Sequence, residues 1–334
     1  MSGKPGLPTT TVLISSVGRR SQLVECFREA FRELGIPGRV IGTDQDPERA
    51  PAAHLVDKCH RVPHCGNPQF IDEVLRIGRE EGVHLIVPTI DPELAVYANA
   101  RERFLRHAIT VAISDPQTIE IASDKTETNE WLLENGFSTV RQDTVKNVLD
   151  NKWKWAFPLI MKPRFGSASI GVTKITSFNP LEDLAGNPTD YIVQEFARGA
   201  EHTINVFVEN GRCVCAVPHR RIESRGGEVS KGLTSRDSNL IRLGTEIAEK
   251  LPGARGALNI QCFVDSVGKI KVIEINARFG GGFPLANRAG AKFPRWMLES
   301  LLRMRSTATS EWEDNLLMLR YDSAVFIGGS KILR

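Results

Sequence analysis

The stretch Val272-Ile273-Glu274-Ile275-Asn276-Ala277-Arg278, running into Phe279-Gly280-Gly281-Gly282, holds the residue types best suited to chemistry. A strand has period two, so Glu274, Asn276 and Arg278 share one face while Ile273, Ile275 and Ala277 take the other. One face can enter a core while the opposite face presents a carboxylate, an amide oxygen and a guanidinium in a row. Upstream, residues 257–264 read as the partner strand, with 265–269 as the turn. A hairpin folded about Val267-Gly268 sets Gln261 opposite Glu274 on the same face. Oxygen ligands from neighbouring strands suit hard Mg²⁺, which keeps waters and is shared with nucleotide phosphates. Arg278 beside them is placed to meet phosphate oxygens bidentately. An edge hairpin with a solvated polar face carries the same alternation, so both readings stand at this point.

The elements that position this stretch follow from the rest of the chain. Residues 11–15 form a buried strand, followed by the loop Ser16-Val17-Gly18-Arg19-Arg20 and a helix with apolar Leu23, Val24, Phe27, Ala30 and Phe31. A second strand at 39–43 ends at Asp44, and a helix at 68–82 leads to a third strand at 84–88. A fourth lies at 109–113. Strand–helix alternation with short links predicts a doubly wound parallel sheet with ligands at the strands' carboxyl ends. A nicotinamide site would rest on Gly18 and Asp44, but the loop has one glycine instead of Gly-x-Gly-x-x-Gly. Arg19 and Arg20 at a helix start suit an anionic carboxylate or phosphate instead, or are solvated helix-end charges. Asp91 and Glu93 read as helix capping after Pro88.

The middle of the chain supplies lysines. Ser123-Asp124-Lys125 opens a helix stopped by Asn135-Gly136, and a lysine there is awkward for the helix dipole unless it meets an anion. A strand at 158–164 carries Lys162 and runs into Phe165-Gly166-Ser167-Ala168-Ser169-Ile170-Gly171, whose small residues let N–H groups approach phosphate oxygens. The lysine precedes the glycines, so this is not a Walker A loop. A strand at 191–197 leads to a hairpin at 203–218 joined by Asn210-Gly211, the strongest short hairpin signal. The basic segment His219, Arg220, Arg221, Arg225, Lys231 and Arg236 then reads as a solvated loop. It has few aromatics to stack bases. A helix at 294–302 looks structural.

Length and composition bound the classes. A chain of 334 residues exceeds one typical core, so two or three domains are expected. A net charge of +3 argues against a dedicated nucleic-acid binder, and no apolar run approaches the roughly 20 residues that span a bilayer. The N-terminal residues lack the apolar core of a signal peptide and read as a disordered leader. Six cysteines in mostly apolar settings fit reduced, buried thiols in a cytoplasmic protein. Cys59, His60, His64 and Cys65 are zinc-ligand types at a spacing that matches no common structural site, so a strand end with incidental Cys and His is the simpler reading.

Taken in order, these pieces resemble the ATP-grasp superfamily over essentially the whole chain. The matching succession is Ser-Asp-Lys at 123–125, Met-Lys-Pro with its small-residue loop at 161–171, Val-Gln-Glu-Phe at 193–196 and Gly-Ala-Glu at 199–201. Gln261 and Glu-Ile-Asn-Ala-Arg at 274–278 complete it. The nearest flavour is similar to stand-alone relatives of the carbamoyl-phosphate synthase large subunit and to carboxylate–amine ligases. The resemblance implies an α/β chain: a leader at 1–10, a preATP-grasp Rossmann-like domain at 11–118, and an ATP-grasp domain at 119–334. The last has two α+β subdomains, with about 140–195 as a mobile lid.

The resemblance also implies roles. Lys125 and Lys162 contact the ATP phosphates, and Gly166, Ser167, Ser169 and Gly171 belong to a flap over them. Glu195 with the backbone at Phe196 and Ala197 holds the adenine, and Glu201 the ribose. Gln261, Glu274 and Asn276 ligate Mg²⁺, with Mn²⁺ as a substitute, and Arg278 with Lys162 faces the transferring phosphoryl group. Arg19, Arg20, Arg220, Arg221, Lys231, Gly280 and Gly281 surround the acid substrate. The implied reaction is carboxylate–amine ligation: ATP makes an acylphosphate, an amine attacks, and ADP and phosphate leave. A carbamoyl-phosphate-forming enzyme and an ATP-binding regulatory protein without turnover are the alternatives. The expected partners are a small carboxylate and an amine, with no nucleic acid and no membrane, in a homodimer.

Overall fold

The computed structural model describes residues 9–166, 170–184 and 190–329. In the N-terminal third, β1 (Thr10–Ile14), β2 (Gly38–Asp44), β3 (Lys58–Arg61), β4 (Val83–Val87) and β5 (Thr110–Val111) form a parallel sheet in the order β3-β2-β1-β4-β5. Helices cover both faces, so β1 is buried along its whole length. Its alternation divides it between two cores, Leu13 into one and Val12 with Ile14 into the other. Helix Ser21–Leu34 buries Leu23, Val24, Phe27, Ala30 and Phe31, the stripe its spacing predicts. The strand order reverses at β1, which pairs with both β2 and β4. The loops leaving β1 and β4 therefore diverge from a switch point, where a crevice opens at the carboxyl ends.

The sheet has five strands where the periodicity predicts four. The Cys59-His60 stretch supplies the short polar edge strand β3, and of residues 109–113 only Thr110 and Val111 join the sheet. His60 Nε2 lies 3.1 Å from Glu81 Oε1, and His64 Nδ1 accepts from the Gly66 N–H at 3.1 Å. Local partners thus engage both imidazoles.

Next come β6 (Gln142–Thr144), β7 (Leu159–Pro163), β8 (Thr173–Ile175) and β9 (Tyr191–Glu195), an antiparallel sheet ordered β6-β9-β7-β8. It has its own small core of Val145, Val148, Leu159, Leu181 and Val193. The largest sheet follows: β10 (Ala200–Glu209), β11 (Arg212–Arg225), β12 (Glu228–Thr234), β13 (Gly256–Val264), β14 (Ile270–Asn276) and β15 (Leu317–Leu319). Its order is β14-β13-β10-β11-β12-β15, antiparallel throughout. The β10–β11 turn places Asn210 and Gly211 at φ +52° and +75°, as a type I′ hairpin requires.

Two expectations are corrected in this sheet. The basic segment from His219 onward is a hairpin, not a solvated loop: β11 runs to Arg225 and turns through Gly226-Gly227 into β12. It lacks an apolar alternation because its inner face lines a polar cavity, so the usual strand signal is missing. Ile273 also leaves its expected face. The β13–β14 register shifts between Gln261 and Cys262, so Val272 and Ile275 are the buried side chains and Ile273 is carried to the same cavity as Glu274.

Aromatic packing joins the first and last thirds of the chain. Phe27 meets Phe279 edge-on at 6.3 Å, and Phe279 meets Phe283 at 4.6 Å. Phe283 packs on Phe293, Phe293 on Trp296, and both Phe293 and Trp296 pack on Phe207 of β10. Trp296 is 1% exposed and sits outside the polar cavities described below. Trp296→Ala should therefore cost about 3–5 kcal/mol of stability. Chemical denaturation would show it as a lower midpoint; an unchanged midpoint would mean the aromatic stack does not hold the thirds together.

Candidate active site

The four-stranded sheet and the large sheet face each other across a cavity of about 200 Å³. Lys125, Lys162, Gly166, Glu195, Phe196, Ala197, Glu201, Gln261 and Glu274 all line it. The structure thus gathers residues separated by up to about half the chain. Gly171 stands outside the lining, at φ +74°, where an added Cβ would come 2.8 Å from Pro163 Cγ. Ser167 and Ser169 lie outside the described residues.

Each lysine is placed by its element. Asp124 caps helix Lys125–Glu134 by accepting from the Thr126 N–H, and the Arg164 guanidinium grips the same carboxylate. This pair ties the helix start to the end of β7 and brings Lys125 Nζ to 2.8 Å from Gly166 O. Lys162, on β7, is 5% exposed. Burial pushes its pKa down to about 8, Glu274 opposes that, and nearby Lys125 adds to it. Burial lowers Lys125 as well. Two ammonium groups thus share a desolvated wall, and Glu274 is a carboxylate that opposes the fall of both.

Across the cavity, Gln261 pairs with Glu274 and Asn259 with Asn276 in the β13–β14 ladder. The facing oxygens are one carboxylate and side-chain amides, the donor chemistry of a hard divalent cation. Asn276 Nδ2 is buried without a partner, while Asn276 Oδ1 accepts from Arg278 Nη2 at 3.0 Å. Glu195 accepts from the Arg141 N–H at 3.1 Å and from Lys271 Nζ. Glu201 lies 3.2 Å from Arg221 Nε; burial raises its pKa, and Arg221 opposes the rise.

Arg278 is engaged by the protein's own groups. Its Nε and Nη2 already fork onto Asp91 at 2.9 and 2.6 Å, and Nη1 donates to Phe279 O at 3.1 Å. The bidentate edge is occupied by the protein's own carboxylate, so it does not meet phosphate in this arrangement. Burial works against the guanidinium's charge, but Asp91 more than offsets it and the pKa ends raised.

A second cavity of about 310 Å³ adjoins the first, and the two share Gln261 and Glu274. Arg19, Arg20, Arg221, Arg278, Gly280 and Gly281 line it. Arg20 donates to Glu228 Oε1 at 3.1 Å and to Thr89 O at 3.0 Å. Arg220 and Lys231 are not brought here: Arg220 is exposed, and Lys231 pairs with Glu223 at 2.8 Å. Strand periodicity explains this, since Arg220 faces away from its neighbour Arg221. The glycines have a cause in the protein itself. A Cβ on Gly281 would meet Glu228 Cδ at 2.8 Å, and one on Gly282 would meet His219 Nε2 at 2.6 Å. Burial drives His219 down to about 3, so it is neutral.

Asp91, which the sequence marks only as helix capping, lines this site, as do Glu228 and Thr203, whose buried Oγ1 has no partner among the described residues. Asp91 had a usable signal, an acid at the helix start that follows β4. Glu228 and Thr203 had none. Asp44, by contrast, accepts from the N–H groups of Gly18 and Asp46, both at 2.9 Å, which engages it with its own loop instead of a ribose.

Known proteins agree with this geometry. A family model described as the PylC-like N-terminal domain matches residues 12–112, and one described as ATP-grasp in the biosynthetic pathway with Ter operon matches 187–323. Together the two matches give the chain a PylC-like N-terminal region followed by an ATP-grasp region. The carbamoyl phosphate synthase large chain of Thermoanaerobacter pseudethanolicus is 23% identical over 278 residues, 78% of this chain. The chain spans about a quarter of that relative's length. Among solved structures, the biotin carboxylase domain of Hydrogenobacter thermophilus 2-oxoglutarate carboxylase, in complex with MgADP and bicarbonate, aligns with a TM-score of 0.70 at 16% identity. The alignment covers 90% of this chain and 71% of that one. The L-amino acid ligase of Bacillus licheniformis aligns with a TM-score of 0.67 at 21% identity, over 89% of this chain and 75% of its own. These likenesses fix the ATP-grasp fold.

The buried Lys162 carries a pH signature. Its folded pKa of about 8 lies below the usual 10.5, so between those values the unfolded chain binds more protons and stability rises with pH. Below about 8 the charge is buried in full and its penalty is constant. Lys162→Met should therefore stabilise the ligand-free protein at pH 7 by on the order of 1–3 kcal/mol, with the gain shrinking toward pH 10. Denaturant titrations at the two pH values check this, and a destabilised variant at pH 7 would refute the desolvation argument.

Proposed function

We propose that the chain is an ADP-forming carboxylate–amine ligase. The observation that carries this reading is the pair of cavities meeting at Gln261 and Glu274, one walled by lysines and the other by arginines. A nucleoside triphosphate in the first cavity would present its terminal phosphate at that junction, in front of an acid held in the second. Lys125 and Lys162 would neutralise phosphate charge, and their desolvation makes that interaction stronger than in water. Glu195, Phe196 and Ala197 line the end suited to a base, and Glu201 stands nearer the metal ladder. Glu274, Gln261 and Asn276 would hold Mg²⁺, which supplies charge stabilisation on the transferring phosphoryl oxygens. Arg278, held by Asp91, lines the arginine-walled cavity that reaches the same junction.

A carboxylate oxygen takes the γ-phosphoryl group and ADP departs. The amine nitrogen then bonds to the acyl carbon, and the bond from that carbon to the phosphate oxygen breaks. Of the two protons lost by the ammonium, one leaves on inorganic phosphate and one to solvent. The arginine-walled cavity has far more room than a small anion such as bicarbonate needs, which favours a larger organic acid over carbamoyl phosphate formation.

A panel of acid and amine pairs read by ADP release tests the reaction. Acid alone with hydroxylamine should give a hydroxamate, since hydroxylamine attacks an acylphosphate directly. Lys162→Ala and Glu274→Gln should each lower ADP and hydroxamate together by on the order of 10²-fold or more, because both act on phosphoryl transfer. AMP and pyrophosphate as products would mean adenylation and would overturn the mechanism. Tight ATP binding with no acid-stimulated turnover would favour a regulatory protein.

A further inference from the structure

A third cavity, of about 430 Å³, opens between the start of helix Ser21–Leu34 and the segment following β15. It shares Arg19, Arg20, Glu228, Gly280 and Gly281 with the arginine-walled cavity, and no residue with the lysine-walled one. The three spaces therefore lie in series, with the arginine-walled cavity in the middle. A ligase needs that order. The phosphoryl donor and the nucleophile must reach the acyl group from different sides, or the leaving phosphate would block the attack.

The third cavity is a built part of the molecule. The Arg320 N–H donates to Ser230 O at 2.9 Å, which fixes the segment beyond β15 on the sheet. Its guanidinium donates to Glu228 Oε2 at 3.0 Å and to Gly281 O. Glu228 is thus held between Arg320 and Arg20 at the boundary of the middle and third spaces. Each of its oxygens accepts one such bond, and a carboxylate has about four acceptor sites, so capacity remains for a ligand's N–H groups. Glu228 is the one carboxylate shared by the two linings among the described residues. The same lining carries apolar Leu23, Phe283, Pro284 and Leu319, and a second carboxylate, Asp322, which belongs to this cavity alone. Leu319 remains 60% exposed there.

We propose that this third cavity binds the nucleophile, a primary amine on an apolar body, with Glu228 receiving its ammonium group. The assignment rests on the ligase reading for its place in the reaction, and adds where the second substrate sits and what kind it is. A bare ammonium ion would leave the apolar wall exposed to water, whereas an apolar body without nitrogen would leave Glu228 with nothing new to accept.

Calorimetry on the full chain with Mg·ADP present, using 3-methylbutylammonium as probe at pH 7, tests the proposal. Methylammonium, 3-methylbutanol and 3-methylbutanoate separate the contributions of the charge, the body and the sign of the charge. The branched ammonium should bind, and each of the other three should bind at least tenfold more weakly. Glu228→Gln and Leu319→Arg should each weaken it tenfold or more, and Leu319→Arg should leave Mg·ADP affinity within twofold of the parent. Binding that neither variant alters, no binding of the branched ammonium, or tighter binding of the carboxylate would each overturn the proposal. The ligase reading fails separately: amine binding that depends on Glu228 and Leu319, together with no acid-stimulated ADP release, keeps the cavity and removes the reaction.

Discussion

The buried ion pair between Asp91 and Arg278 sets where the two halves of this molecule meet, and the rest of the site depends on it. Asp91 opens helix Asp91–Leu105 in the N-terminal third, while Arg278 follows β14 in the last third. Their side chains are 17% and 11% exposed, so either charge without the other would be stranded, at a cost of about 3–5 kcal/mol. The pair is itself held from below. Glu93, wholly buried, accepts from the hydroxyls of Ser15 and Ser16 and from the N–H groups of Thr89 and Ile90. That one carboxyl ties the loop after β1 to the loop after β4. Arg20 leaves the first loop and reaches Thr89 O in the second, so hydrogen bonds connect the core of the N-terminal sheet to the arginine-walled cavity.

The cavities concentrate cations that the protein only partly compensates. Burial lowers Lys125, Lys162 and Arg20, and Glu274 or Glu228 opposes the fall in each case without cancelling it. Such a wall weakens the empty fold and strengthens the grip on an anion, which returns the missing compensation. Stability given up at a site for binding is a common trade. It also explains why the aromatic packing around Phe279 and Phe283 lies directly behind the glycine run: a rigid apolar backing holds strained electrostatics in register.

The sequence made the scaffold legible where its signals were local. The stripe of Leu23, Val24, Phe27, Ala30 and Phe31 marked its helix, Asn210-Gly211 marked its hairpin, and the turn about Val267-Gly268 put Gln261 across from Glu274. Those signals depend on spacing within a few residues. What stayed hidden depended on contacts across the chain. The strand carrying His219 and Arg221 faces a polar cavity, so it lacked the apolar alternation that marks a half-buried strand. Ile273 moved faces because of a bulge that no single residue announces. The occupation of Arg278 by Asp91 joins positions far apart in sequence, and Glu228 acquires its place only when Arg20 and Arg320 close on it from opposite ends of the chain.

The composition of the proposed metal ladder carries a last consequence for how the site would fill. Gln261, Asn276 and Glu274 offer a single negative charge, and Glu274 also faces two ammonium groups in a desolvated wall. A divalent cation arriving alone would be repelled by the lysines and drawn by a ladder that carries only one carboxylate of its own. A nucleotide reverses that balance, because its phosphates attract both the lysines and the cation. On the proposed reading the cation therefore enters as a complex with the nucleotide, and the ladder acts as the second half of a coordination shell that the phosphates begin. The amide side chains would suit this order: they would supply oxygen without adding charge, so the site would keep its positive balance toward the nucleotide.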